Sequence, residues 1–319
     1  MRRRAVMASI GVAAFLPSVS LAQEARRIYR VGTVFAVPPA DATITTVLDE
    51  LNRLGFVEGK NLMVDPRGFR LRSDQMIAVA QQLAEARIDL FLTGGGLATK
   101  AAQAASSTIP ILGIADDMVG EGLVGSLANR GGNTTGLSIL SAELNGKRQE
   151  ILMELLPESK KMAMLAEATN QQFAALQSNA RARGVDVSIL TISKPDDVEP
   201  TLKQAKADGA TAINIAGSAF LFAMRQQIFA TATALGLATM YQWTEGIREG
   251  ALAAYGPSLD ETFRQRGRQA ARLLRGARPS DMPVEQPTTI KLAINLKLAR
   301  QLGIDAPPAL LQRADEAVE

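Results

Sequence analysis

From Tyr29 onward, short apolar runs alternate with longer stretches in which apolar residues return every three or four positions. The short runs predict strands and the longer ones amphipathic helices. "YRVGTVFA" (29–36) reads as a buried strand, "TITTVLDELNRLG" (43–55) as a helix closed by Gly55, and "NLMVD" (61–65) as a strand. A helix opens at Ser73, a plausible N-cap, with Met76, Ile77, Ala80, Leu83 and Ala84 on one face. Strand 88–93, a helix from Leu97 and strand 109–115 complete a first series. The second series starts with a helix at 141–156 that turns Leu144, Ile151, Leu152 and Leu155 inward and stops at Pro157. Strand 161–167, helix 171–183, strand 185–192, helix 196–207, strand 210–217 and helix 219–234 follow. After them come strands 237–241 and 251–256, helix 259–276, a strand near 288–294 and a helix at 295–302. Strands apolar on both faces and separated by helices imply parallel sheets covered on both sides. The fold class expected is therefore α/β, with two doubly wound, Rossmann-like lobes and a ligand cleft between them.

Length agrees: 319 residues, 47% of them hydrophobic, can bury two cores, in lobes of roughly 120–150 residues. The charge balance of 35 Lys plus Arg against 32 Asp plus Glu invites a search for nucleic-acid partners. The N-terminus removes that reason. "MRRRAVMASIGVAAFLPSVSLA" (1–22) has three arginines, an apolar core too short to span a bilayer and a small-x-small end at Ala22, the pattern of a cleaved secretory signal. The adjacent arginines leave both the general and the twin-arginine export routes open. Without Arg2, Arg3 and Arg4 the mature chain holds 32 basic and 32 acidic residues, so no nucleic-acid footprint is expected.

Cysteine and histidine are both absent. Disulfides, thiolate metal sites, a lipid-modified N-terminal Cys, Ser-His-Asp hydrolysis and most zinc chemistry are thereby excluded. Carboxylate chemistry and a Ser-Lys pair remain available to the composition, yet neither an enzyme, nor a cofactor, nor a metal is expected.

In open α/β sheets ligands bind beyond the carboxyl ends of the strands, and this nominates specific loops. Thr93, Gly94 and Gly95 lie between a strand and a helix, where a close backbone and free N–H groups suit an anion, although a bare turn uses the same residues. The spacing matches neither nucleotide-binding glycine fingerprint. Asp116 and Asp117 end the next strand and could take an ammonium or a hydroxyl group, or cap the following turn. Asn170 and Ser218 follow strands in the second series. Tyr241 and Trp243, the only tryptophan, end another; they are candidates for packing over an apolar solute, with a core position as the alternative.

One stretch still wants a reading: "GLVGSLANRGGNTTG" (122–136), glycine-rich but without the Lys and Ser/Thr of a phosphate loop. Gly131 and Gly132 permit positive φ, so it reads as a turn leading into a strand at Thr134 and Thr135. With the following Leu-Ser it resembles the signature segment of ABC-transporter substrate-binding proteins of the tryptophan/tyrosine-type family. "LNRLGFVEGKNLMVD", "STIPILGIADDMV", "NGKRQEILMELLPE", "ALAAYGPS" and the C-terminal "INLKLARQLGIDAPPALLQRADEAVE" extend the resemblance over nearly all of the mature chain. Two positions depart from the family pattern: Arg130 stands where the family has Pro, and Met118 replaces the Pro of its Asp-Pro-Val.

The resemblance implies a periplasmic binding protein of the type I kind, its lobes joined by three crossings and its solute trapped as they close. Lobes of 29–140 plus about 257–285, and of 141–256 plus about 286–319, are expected. It also implies an amino acid, aromatic or other, or a related carboxylate as solute, an ABC permease and its cytoplasmic ATPase as partners, and a periplasmic monomer. Two other classes share the architecture: a ligand sensor without transport, and a dinucleotide-dependent oxidoreductase, which would need the glycine fingerprint missing here.

Overall fold

The structure, a computed structural model, describes residues 27–128, 131–167 and 173–319. The predicted leader, Arg130 and Asn170 lie outside the described residues.

The first series forms β1 (Tyr29–Val34), α1 (Ala42–Arg53), β2 (Leu62–Val64), α2 (Met76–Glu85), β3 (Leu90–Thr93), α3 (Gly96–Ala105), β4 (Ile111–Ala115) and β5 (Thr134–Ser138). Its five strands make a parallel sheet in the order β2-β1-β3-β4-β5. Alternation along β3 shows why both faces are apolar. Leu90 and Leu92 join the cluster holding Val47 and Leu51 of α1, while Phe91 joins the one holding Leu83 of α2 and Ala102 of α3.

The second series forms α4 (Ser141–Leu155), β6 (Lys161–Glu167), α5 (Ala174–Ala182), β7 (Asp186–Ile192), α6 (Val198–Ala207), β8 (Ala212–Ile215), α7 (Ala219–Ala234), β9 (Ala238–Tyr241), α8 (Gly246–Glu249) and β10 (Ala253–Gly256). After these come α9 (Leu259–Leu274), β11 (Lys291–Asn295), α10 (Leu296–Gln301), α11 (Pro308–Leu311) and β12 (Glu316–Val318). Seven strands pair in the order β12-β11-β10-β9-β8-β6-β7. The fold is thus two parallel-sheet α/β lobes, as the alternation predicts.

The chain passes between the sheets three times: after β5, after β10, and after Glu285. α9 leaves the second sheet and packs along α1 of the first. Glu285 then aligns with β5, its N–H donating to the Gly136 carbonyl at 2.9 Å and its carbonyl accepting from the Ser138 N–H at 2.9 Å. Because the chain re-enters the second sheet from the carboxyl end of β5, β11 runs antiparallel to β10. The pattern of apolar runs did not reveal that reversal, nor the short closing strand β12. Ser73 also differs from its expected role: it begins a short 3-10 turn, and the Arg72 N–H that precedes it donates to the Gln75 side chain at 2.9 Å.

In the described part of the glycine-rich stretch, 131–133 bend the chain into β5. Asn133 fixes it, its amide donating to the carbonyls of Ser106 and Ile109 at 2.9 and 2.8 Å, and β5 begins at Thr134.

Candidate functional site

The carboxyl ends of the two sheets face each other. Contact is direct at Gly95, where an added Cβ would stand 2.7 Å from Cβ of Ala219 at the start of α7. It is ionic at Arg225 of α7, whose Nη2 lies 3.1 Å from Oδ2 of Asp41, the N-cap of α1. Arg225 also pairs with Glu249 at 2.5 Å, and both Arg225 and Asp41 are nearly inaccessible.

The predicted site residues separate into those used up within their own lobe and those left free. Thr93 is fully buried and its hydroxyl pairs with that of Thr99 at 2.7 Å. The Thr99 hydroxyl in turn donates to the Gly95 carbonyl at 3.0 Å. The Gly94 and Gly95 N–H groups, expected to be open to an anion, donate instead to the Val34 and Ile114 carbonyls at 3.0 and 2.9 Å. They extend the sheet by one residue and are not free donors. At the start of α3 a Cβ on Gly96 would overlap a carboxylate oxygen of Glu121, so an acid of the chain itself already faces that helix end.

The two aspartates divide the roles proposed for them. Asp117 is the cap: its Oδ1 accepts from the N–H groups of Val119 and Gly120 at 3.1 and 2.8 Å. The Asp116 carboxylate accepts no hydrogen bond from a described residue. It is half-buried beside Glu121, Asp117 and Glu167, opposite Arg148, and burial with these acids pushes its pKa up to about 7. Burial raises the Glu121 carboxyl as well.

On the second lobe, the Ser218 oxygen accepts from the Leu221 N–H at 3.0 Å and caps α7, which leaves its O–H free to donate. Tyr241 is buried, edge-on to Phe229 with centroids 5.0 Å apart, and its hydroxyl has no partner among the described residues. Trp243 is only 4% exposed and packs at 6.2 Å against Phe263 of α9, a helix that covers the first sheet. Both rings are therefore covered by protein side chains, and Trp243 bridges the second crossing. Glu245 reinforces that bridge by accepting from the Ser258 hydroxyl and the Leu259 N–H at 2.7 and 2.8 Å.

Helical spacing had placed Leu144, Ile151, Leu152 and Leu155 on the inner face of α4. Arg148 lies on that same face, four residues after Leu144, and apolar periodicity does not single it out. It is fully buried. Nε donates to the Tyr255 carbonyl at 2.7 Å, and Nη1 reaches the Ser141 carbonyl, the Ser141 hydroxyl and Asn145 Oδ1 at 3.0–3.1 Å. Nη2 has no partner. Burial lowers its pKa to about 10 against the opposing pull of Asp116. A second buried arginine, Arg266 of α9, donates to the Thr93 and Leu112 carbonyls at 2.6 and 2.8 Å. It braces the floor of the first lobe.

A groove of about 440 Å³, lined by Arg27, Tyr29, Asp89, Pro110 and Leu273 to Gly276, lies at the amino ends of β1, β3 and β4, remote from the facing ends. Among the described residues no group of three or more acidic side chains converges as a metal site. No helix among them is long and apolar enough to cross a membrane.

Comparison with known proteins agrees with this geometry. A structure of a conserved domain protein from Vibrio cholerae superposes with TM-score 0.79 at 26% identity, over 91% of this chain and 99% of that one. An ABC domain from Streptococcus pneumoniae in complex with L-Trp gives 0.78 at 21% identity, over 91% of this chain and all of that one. The 5-methylthioribose transporter solute binding protein from Thermotoga lettingae shares the fold more distantly, at TM-score 0.54 and 12% identity over 89% and 95% of the two chains. No curated protein sequence matches. The profile of the family described as ABC transporter substrate binding protein matches residues 31–318, and the chain belongs to that family.

Proposed function

We propose that the protein is the periplasmic solute-binding component of an ABC importer, capturing an amino acid and delivering it to the permease and its ATPase as a monomer. One observation carries the choice of solute: the Asp116 carboxylate, half-buried at the carboxyl end of β4 and accepting no hydrogen bond from a described residue, fits an ammonium group. An ammonium within hydrogen-bond reach stabilises the ionised acid and recovers what burial costs it. The L-Trp complex of the pneumococcal neighbour supports the same class. In this reading the lobes are 29–140 with 257–285 and 141–256 with 286–319, and the leader 1–22 directs export. Ser218 adds a hydroxyl donor, and Gly94 and Gly95 supply close backbone contact without free N–H groups. Tyr241 and Trp243 form the wall behind the solute. Binding favours the closed arrangement that the permease recognises, a population shift without chemistry.

The test is a titration of the purified protein with the twenty L-amino acids, aromatic and aliphatic carboxylates and neutral sugars. Melting temperature and Trp243 fluorescence are followed together. Trp243 touches Phe263 across the second crossing, so its emission should report closure. Saturable stabilisation by an amino acid is expected. Stabilisation by sugars alone would overturn the assignment of the solute.

A further inference from the structure

Among the described residues, seven buried side-chain atoms, on Thr33, Arg148, Asn214, Tyr241, Arg266 and Gln269, lack a hydrogen-bond partner. Thr33 and Arg266 have orphan atoms inside the first lobe, around a cavity of about 10 Å³ with the room of a single water. Arg148 Nη2 lies at the carboxyl ends of the second sheet, beside Gly256 and the Tyr255 carbonyl. An unpaired guanidinium nitrogen on a fully buried side chain forfeits hydrogen-bond energy. Such a nitrogen at the solute-facing end of a sheet calls for an anion.

A neighbouring amide supports this. The Ser141 hydroxyl donates to Gln242 Oε1 at 2.7 Å, and Arg148 Nη1 contacts the same Ser141 oxygen at 3.1 Å. With its oxygen held, Gln242 keeps an amide nitrogen that donates to no described residue, and that nitrogen belongs to the loop directly after β9. Across the gap stands Asp116, on the other lobe and near enough to bias the Arg148 charge, yet not bonded to it. An acid and a guanidinium nitrogen, neither bonded to a described residue, thus face each other from opposite lobes.

We infer that Arg148 Nη2 and Gln242 Nε2 form a carboxylate subsite, so that a zwitterion spans the lobes from Asp116 to Arg148. This rests on the reading of Asp116 as the ammonium anchor and adds what the second lobe demands. It has a mechanical corollary: neither half of the solute alone ties the lobes together. An amine reaches Asp116 and a simple acid reaches Arg148, but only a solute carrying both charges draws the two sheets shut.

Calorimetric titration with three matched sets of probes tests the inference: the twenty L-amino acids, their amides and their N-acetyl derivatives. The free amino acid that binds should exceed both its amide and its N-acetyl form by at least about 30-fold, the fold-change for a lost charged hydrogen bond. The near-isosteric Gln242→Glu variant places a carboxylate beside Arg148 and fills the subsite from within. It should raise the melting temperature, weaken the free amino acid at least about tenfold and spare the amide. An amide that binds as tightly as its amino acid, or a Gln242→Glu protein with unchanged affinity, would overturn the carboxylate subsite and leave the Asp116 anchor standing. Binding of N-acetyl forms as tight as that of free amino acids would remove the Asp116 anchor instead, and with it the spanning zwitterion.

Discussion

Asp116 and Asp117 are adjacent and chemically identical, yet the structure gives them different work. Asp117 binds backbone N–H groups of its own turn, and its replacement by Ala should cost about 1 kcal/mol of stability with little change in affinity. Urea unfolding and a solute titration of that variant check both halves. Asp116→Asn should instead weaken an amino acid about 10- to 100-fold while the melting temperature holds or rises, because a costly buried charge is removed. The pH dependence follows from the same group. Its pKa is about 7 in the folded protein against 3.8 ordinarily, so the folded state holds this proton more tightly than the unfolded chain does. Between those two values this carboxyl takes away stability as pH rises, and above pH 7 it takes no more. A bound ammonium selects the ionised form, so affinity should fall about tenfold from pH 8 to pH 6, with proton uptake by the buffer as the solute binds. The same fall in Asp116→Asn would assign the pH effect to another group. Composition and strand-end position made the acidic pair visible in the sequence. Which member is spent on the turn depends on backbone directions that only the folded loop sets.

At the level of elements, the glycine-rich segment that looks most like a ligand loop is a structural hinge into β5. Gly136 has φ of 154°, and a Cβ there would overlap the carbonyl oxygen of Gly113 on the paired strand. Since that oxygen belongs to backbone held in the β4–β5 ladder, Gly136→Ala should destabilise the protein by roughly 3 kcal/mol or more, measured by urea unfolding. A loss below about 1 kcal/mol would mean that the ladder yields more easily than this geometry allows. Helix α4 teaches the complementary point. Its sequence already placed Arg148 on the stripe with Leu144, Ile151 and Leu152, and a charge on an apolar stripe was the available sign of a buried polar site. The aliphatic neighbours outweighed it because the pattern records which face turns inward, whereas the floor of that face proves to be Asn145, Arg148 and Gln149.

For the molecule as a whole, Arg225 is the most consequential contact between the lobes, pairing with Asp41 on one side and Glu249 on the other. Arg225→Met keeps the apolar stem but leaves Asp41 without its cation, which disfavours the closed arrangement. Affinity should drop about tenfold or more, although Arg225 is assigned no contact with the solute. Small-angle scattering should show a more open protein at saturating solute. Unchanged affinity and unchanged scattering would show that closure does not depend on this ion pair. Trp243 belongs to this scale too. Packed on Phe263 beside the Glu245 cap of α9, it is a fitting at the crossing.

The sequence by itself determined the alternation of strands and helices, the parallel sheets and the pairing of two lobes, because these follow from local periodicity and the need to cover apolar faces. It also determined what chemistry is unavailable, since no histidine or cysteine exists to perform it. Tertiary structure alone decided that β11 reverses direction, that the Gly94 and Gly95 N–H groups are consumed by neighbouring strands, and that one Arg148 nitrogen bonds no described residue. Hydrogen-bond satisfaction is the reason. Whether a donor or acceptor remains free depends on partners tens to hundreds of residues away, and no local pattern in the chain encodes that sum.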